Sequence, residues 1–225
     1  MLAVMRKTVT ATLLLCLLSS LLLSVPAQTG LRLNSPEGLE LMNAKAEAVT
    51  YRGRRAVRLI PLSDEKVMMA MVANVDFKDG TIEVEVAGSP SASAPPDARG
   101  FIGIAFRVQP QATKYECFYL RPTNGRADDQ LRRNHSTQYI SEPDYPWERL
   151  RKESPGVYES YVDLETGAWT KIKIVVAGRK ARLYVNGSEQ PCLIVNDLKL
   201  GESHGQVALW TLPATDGYFS NLTIK

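Results

Sequence analysis

The chain has 225 residues, with 27 Lys and Arg against 24 Asp and Glu, a formal net charge of +3 at pH 7. So even a balance, with no basic stripe interleaved with aromatics, points away from nucleic acid as a partner. Three cysteines are too few for a disulfide framework, so the fold must rest on a hydrophobic core that a chain of this length can supply.

In chain order, Arg6 and Lys7 come first, ahead of "TVTATLLLCLLSSLLLSV", an apolar run of 18 residues closed by Pro26-Ala27. A basic flank, an apolar run and small residues at the cleavage point make residues 1–27 a secretory signal peptide. The run is short for a membrane anchor and no basic stop-transfer flank follows it. The mature chain, residues 28–225, is then expected to be one secreted or periplasmic domain with no membrane span, and a monomer. Without Arg6 and Lys7 it holds 25 basic and 24 acidic residues, so it is close to neutral.

From there the signal is period two, which is the spacing of strands. "EAVTYRG" and "RAVRLIPL" read as a first pair, and "TIEVEV" alternates strictly from Thr81 to Val86 after the turn "KDG". "GSPSASAPPDARG" (88–100) reads as a surface loop. "FIGIAFRV" sets Ile102, Ile104, Phe106 and Val108 on one face, and "KYECFYLR" follows. The tract from Pro122 to Pro155, polar and rich in arginine and tyrosine, reads as a long loop with one possible helical turn at "PWERLRK". Beyond it come "TKIKIVV", "ARLYVNGSEQPCLIV" with the hairpin signal Asn186-Gly187, "QVALWTL" and "YFSNLTI". Many short strands and almost no helix predict an all-β, two-sheet antiparallel jelly-roll sandwich.

The succession "VDFKDGTIEVEV", "GFIGIAFRV", "YECFYLRP", "GAWTKIKIVVAGRKARLYVNG", "LGESHGQVALWT" and "GYFSNLTI" resembles the concanavalin A-like lectin/glucanase superfamily over about Val75 to Lys225. It is most similar to the laminin-G-like and 3-keto-disaccharide-hydrolase-like domains of secreted bacterial proteins. The resemblance implies two curved sheets with a sugar commonly held on the concave face. It implies no particular activity.

Strand phase then assigns faces. With Phe118, Leu120, Val207 and Leu209 taken as core, a second face shows Arg107, Tyr115, Tyr119, Arg121 and Trp210 above the small residues Gly103, Ala105 and Ala208. Aromatic planes with polar forks suit a sugar ring; the same face can equally be a second small core covered by the long loop. The loop is expected to fold back over it, with Arg121, Asn134, His135, Tyr139 and Trp147 lining the pocket. Cys117 then lies outside the inter-sheet core, and Cys192 follows a hairpin on the other sheet, a geometry unfavourable to a disulfide.

Catalytic signals are sparse. The glucanase pattern E-x-D-x-x-E is missing, and Glu83 and Glu85 read as solvent-facing edge charges. Glu116, in phase with Phe118 and Leu120, is the carboxylate expected to be partly buried with a raised pKa. Glu116 and His135 are the candidate catalytic groups should the protein cleave glycosides, on 3-keto sugars for instance. No metal motif is present and no cofactor is expected, although Asp128-Asp129 can join an oxygen-ligand calcium site. The expected partner is a carbohydrate or glycoside. A laminin-G-type protein-interaction module is a further alternative.

Overall fold

The computed structural model describes residues 29–63 and 67–225; the expected signal peptide and its cleavage point lie outside the described residues. The strands are β1 (Thr29–Leu31), β2 (Leu39–Met42), β3 (Ala44–Tyr51), β4 (Arg54–Pro61), β5 (Met68–Val72), β6 (Gly80–Pro90), β7 (Ile102–Val108), β8 (Tyr115–Leu120), β9 (Thr137–Glu142), β10 (Glu159–Ser160), β11 (Thr170–Ala177), β12 (Lys180–Val185), β13 (Leu193–Val195), β14 (Gln206–Thr211) and β15 (Thr215–Ile224). Two short helices, α1 (Gln130–Asn134) and α2 (Trp147–Glu153), lie on either side of β9. One sheet runs β13-β12-β11-β6-β15-β4-β3, with β1 added along β15; the other runs β10-β9-β8-β7-β14-β5-β2. Every neighbouring pair is antiparallel, as in β7 with β8 and β11 with β12.

The eight-stranded sheet follows the alternation of its sequence. On β11, Ile172, Ile174 and Val176 are buried, whereas Lys171 is exposed and its ammonium lies 2.6 Å from Glu83 on β6. Glu85 accepts from the Asn221 side chain at 2.6 Å and pairs with Arg54, so both glutamates lie on the outer face as expected, but on an inner strand and not at a sheet edge. Tight turns sit where left-handed backbone is needed: Asn186 and Gly187 have φ of +51° and +77°, and the Asn186 side-chain oxygen accepts from the Lys171 N–H at 3.0 Å.

The inner faces meet in one core. Ile102, Ile104 and Phe106 of β7, Phe118 of β8 and Leu209 of β14 are buried together with Val84, Ile172, Leu183 and Phe219 of the opposite sheet. The sheets approach so closely that a Cβ on Gly88 of β6 would come within 2.7 Å of the Ile102 Cγ2. Each such side chain contributes on the order of 2 kcal/mol by leaving water.

The seven-stranded sheet behaves differently, because its two central strands β7 and β8 are buried at every residue. Its outward face is therefore covered along most of its length, and the second-core alternative holds there. The covering segment is not a loop throughout. Residues 137–142 form β9, paired with β8 from Thr137↔Leu120 to Tyr115↔Glu142, and α2 packs Leu150 inward. Cys117 and Cys192 are free thiols. Among the described residues no helix is long and apolar enough to cross a membrane.

Candidate functional site

The outward face of the seven-stranded sheet is organised by one glycine. Trp210 of β14 pairs with Gly103 of β7, and Gly103 pairs with Tyr119 of β8. With no side chain between them, the Tyr119 and Trp210 rings lean together over Gly103 and stack at 4.9 Å between centroids, 22° from parallel. A Cβ on Gly103 would sit 2.1 Å from the Phe118 carbonyl oxygen and 2.7 Å from the Tyr119 Cβ. The room expected above Gly103 is thus taken by the two rings. Further along, Tyr115 and Cys117 are buried too, and burial raises the pKa of both groups.

An opening remains past the end of β8. Arg121, 5 % exposed, donates to the Tyr119 hydroxyl (2.9 Å), the Gln138 Oε1 (3.2 Å) and the His135 carbonyl (3.0 Å). Its guanidinium lies 5.0 Å from the Tyr119 ring centre, 5.8 Å from Phe101 and 6.0 Å from Trp147. Trp147 opens α2 and is 38 % exposed. One helical turn later, Arg151 lies 4.6 Å over the same ring. Arg151 also grips Glu159 of β10 with a fork, Nε to Oε1 at 3.0 Å and Nη2 to Oε2 at 2.7 Å.

Glu159 is buried and reaches His135 as well, with Nε2 3.2 Å from Oε1. Burial lowers the His135 pKa against the pull of Glu159, and Arg151 and Arg121 lower it further, so the imidazole is neutral at pH 7. Arg99, Arg132 and the Leu212–Thr215 turn join Tyr119, Arg121, His135, Trp147 and Arg151 in lining a cleft of about 670 Å3, within the range of small-molecule sites.

The residues expected to form a site divide into three groups. Tyr119, Arg121, His135 and Trp147 line the cleft, and Trp210 supports it from below by stacking on Tyr119. Asn134 and Tyr115 do not line it: Asn134 is exposed on α1, where its Oδ1 accepts from the Gln130 side chain at 2.8 Å, and Tyr115 lies toward the other end of β8.

Arg107 and Tyr139 lie elsewhere, and their expected placement is corrected. Four residues of β7, Ala105 to Val108, run opposite three of β14, Gln206 to Ala208, and this bulge with φ of +52° at Arg107 breaks the phase. Arg107 is wholly buried at one end of the sandwich. It donates to the carbonyls of Lys78 (3.0 Å), Gly178 (2.7 Å) and Gly201 (2.6 Å) and pairs with Asp79 at 3.2 Å. Tyr139 belongs to β9 on the core side, 5.5 Å from the Phe118 ring, and its hydroxyl donates to Glu116 Oε1 at 3.2 Å.

Glu116 shares that inner face. Its Oε1 also accepts from the Leu200 N–H at 2.7 Å, while Oε2 is buried with no partner. Burial pushes its pKa up to about 7, opposed by the Leu200 N–H, Arg107 and Tyr139. The perturbed carboxylate expected from its phase is present, but it lies across the sheet from the cleft, so a catalytic role for it there is corrected. Asp129 caps α1, accepting from the Arg132 N–H at 2.8 Å. Among the described residues no three His, Cys, Asp or Glu side chains gather as a metal site.

Sequence reasoning missed Arg99, Arg151 and Glu159. The i, i+4 spacing of Trp147 and Arg151 in "PWERLRK" was the available signal for one of them. Arg99 sits at the end of the segment read as a plain surface loop, and nothing local marks Glu159.

No protein-family model matches the chain, and no curated protein is similar in sequence. Solved structures do match in fold. A carbohydrate-binding module, CBM66, from Bacillus subtilis superposes with a TM-score of 0.58 at 14 % identity, covering 84 % of this chain and 96 % of that one. A protein of unknown function with a galectin-like fold, also from Bacillus subtilis, gives 0.57 at 11 % identity over 87 % and 94 % of the two chains. The exoplasmic/lumenal domain of VIP36 in its Ca2+/Man-bound form gives 0.54 at 8 % identity, over 84 % of this chain and 82 % of that one. The fold is thus the concanavalin A-like jelly roll.

Proposed function

We propose that this chain is a secreted carbohydrate-binding jelly-roll protein whose sugar site is the cleft walled by residues 122–155. The observation that carries the reading is the half-exposed Trp147 ring, held by Arg151 and facing Arg121, Tyr119 and Phe101 in an opening of about 670 Å3. An aromatic plane beside fixed polar forks matches a sugar, with its apolar ring face and its rim of hydroxyls. That two superposable structures are named as a carbohydrate-binding module and as a Man-bound lumenal domain supports the reading.

Glycan-array screening followed by affinity gels tests it. Binding should appear for at least one glycan class and be lost in Trp147→Ala with the melting temperature almost unchanged. A folded protein that retains no glycan, or a variant that binds like wild type, contradicts the proposal.

One observation favours a second reading, a glycoside-cleaving enzyme. The neutral His135 imidazole, fixed by Glu159 at 3.2 Å, lines the cleft among arginines and has the form of a positioned base with cationic stabilisers. Release of aglycone from 3-keto-glucosides or plain oligosaccharides, abolished in His135→Ala, would establish it; no release leaves the binding protein.

A further inference from the structure

The arginines of the cleft are not equivalent. Arg121 and Arg151 share the buried carboxylate of Glu159, at 4.0 Å and 2.7 Å. Arg99 and Arg132 have only neutral partners: Arg99 donates to the Asp97 carbonyl, and Arg132 donates to Asn124 Oδ1 and Thr123 Oγ1, both at 3.0 Å. Among the described residues neither makes an ion pair.

Arg99 and Arg132 are thus two partly buried guanidiniums in one lining with no carboxylate among the described residues paired to either. Burial lowers the pKa of Arg99 first, the nearby Arg132 lowers it next and Arg121 adds to this, with only Asp97 opposing. The cleft is lined by four arginines and two aspartates, and one of those aspartates, Asp129, already accepts from the Arg132 backbone N–H. Neutral sugar hydroxyls leave this charge standing, whereas one anionic group would be bound by charge-assisted forks.

We propose that the cleft selects an acidic saccharide, its carboxylate or sulfate ester held between Arg99 and Arg132 while the sugar ring lies against Trp147. This rests on the sugar-binding reading and narrows its ligand class.

The test is calorimetric titration of the protein with four probes: an oligogalacturonate, the same oligomer as its methyl ester, a sulfated oligosaccharide, and a neutral oligosaccharide of equal length. The acid should bind about tenfold or more tighter than its ester, since one charge-assisted fork is worth at least one decade of affinity. The preference should weaken with added salt. Comparison of the carboxylated and sulfated probes identifies which anion is the better fit.

Arg132→Gln should bring the acid to the level of the ester. Because Arg132 also ties down Asn124 and Thr123, Arg99→Gln, which loses only a bond to a nearby carbonyl, serves as the second variant and should do the same. Equal binding of acid, ester and neutral oligomer overturns the acidic preference and leaves sugar binding intact. Binding of no saccharide overturns both. An acid preference that survives in both variants places the anion elsewhere and overturns the proposed contact.

Discussion

Replacing Glu116 by Gln should make the protein less sensitive to rising pH, and the size of the effect follows from its surroundings. The carboxyl group is wholly buried in the inter-sheet core, with one oxygen serving Leu200 and Tyr139 and the other unpartnered. Its pKa stands at about 7 in the folded chain against an ordinary 4.5. Below pH 4.5 the group is protonated in both states and costs nothing in charge. As pH rises from 4.5 to about 7, the unfolded chain releases its proton while the folded chain retains it, so stability falls; above 7 the loss is complete. At about 1.4 kcal/mol per pH unit, the loss attributable to this one group is about 3 kcal/mol. Gln keeps the acceptor for Leu200 and Tyr139 and cannot ionise.

Urea unfolding of wild type and Glu116→Gln across this range is the assay. The constant cost of burying an amide cancels when the difference between the two proteins is followed with pH. That difference should shift in favour of the variant by about 3 kcal/mol between the acid and alkaline ends. Parallel pH curves would refute the claim that a buried, protonatable Glu116 sits in the core.

Gly103→Ala should destabilise the fold by at least 2 kcal/mol in urea unfolding, because its methyl group would meet the Phe118 carbonyl at 2.1 Å and wedge under Tyr119; a neutral result would mean that β7 and β8 are not so close. Arg107→Met should cost about 3 kcal/mol, since it strips three carbonyls of their donor and Asp79 of its ion pair, yet leave the glycan affinity of the folded fraction unchanged, as measured by titration below its melting point. His135 should titrate below its ordinary 6.5 in an NMR pH series, and Glu159→Gln, which removes the carboxylate that favours its charged form, should lower it further; an upward shift would contradict the assigned contact between His135 and Glu159.

The eight-stranded sheet was legible because one of its faces meets water. Lys171 and Lys173 alternate with Ile172 and Ile174, and that contrast is what period-two reading detects. Strand β9 was illegible for the opposite reason: Thr137 to Ser141 are buried on both faces, so "TQYIS" shows no alternation and reads as loop. Tyr139 was misplaced with it. Arg107 was misread because a single inserted residue at the β7 bulge reverses the phase, and sequence alone does not announce a bulge. Tyr119, Arg121 and Trp210 were readable from strand phase. Arg151 and Glu159 meet across the short connection from α2 to β10, and Arg99 reaches the same cleft from the distant segment between β6 and β7.

Sugar binding in the cleft is tested most directly by NMR shift mapping with a bound oligosaccharide. The chain has a competing aromatic patch on the outer face of the eight-stranded sheet, where Tyr51 stacks on Tyr218 at 3.8 Å and meets Trp169 edge-on at 5.8 Å. Perturbations should concentrate on the Trp147 indole N–H and the Arg99, Arg121 and Arg132 side chains, with the Trp169 indole unmoved. Shifts centred on Trp169, Tyr51 and Tyr218, with Trp147 silent, would contradict the assignment of the site.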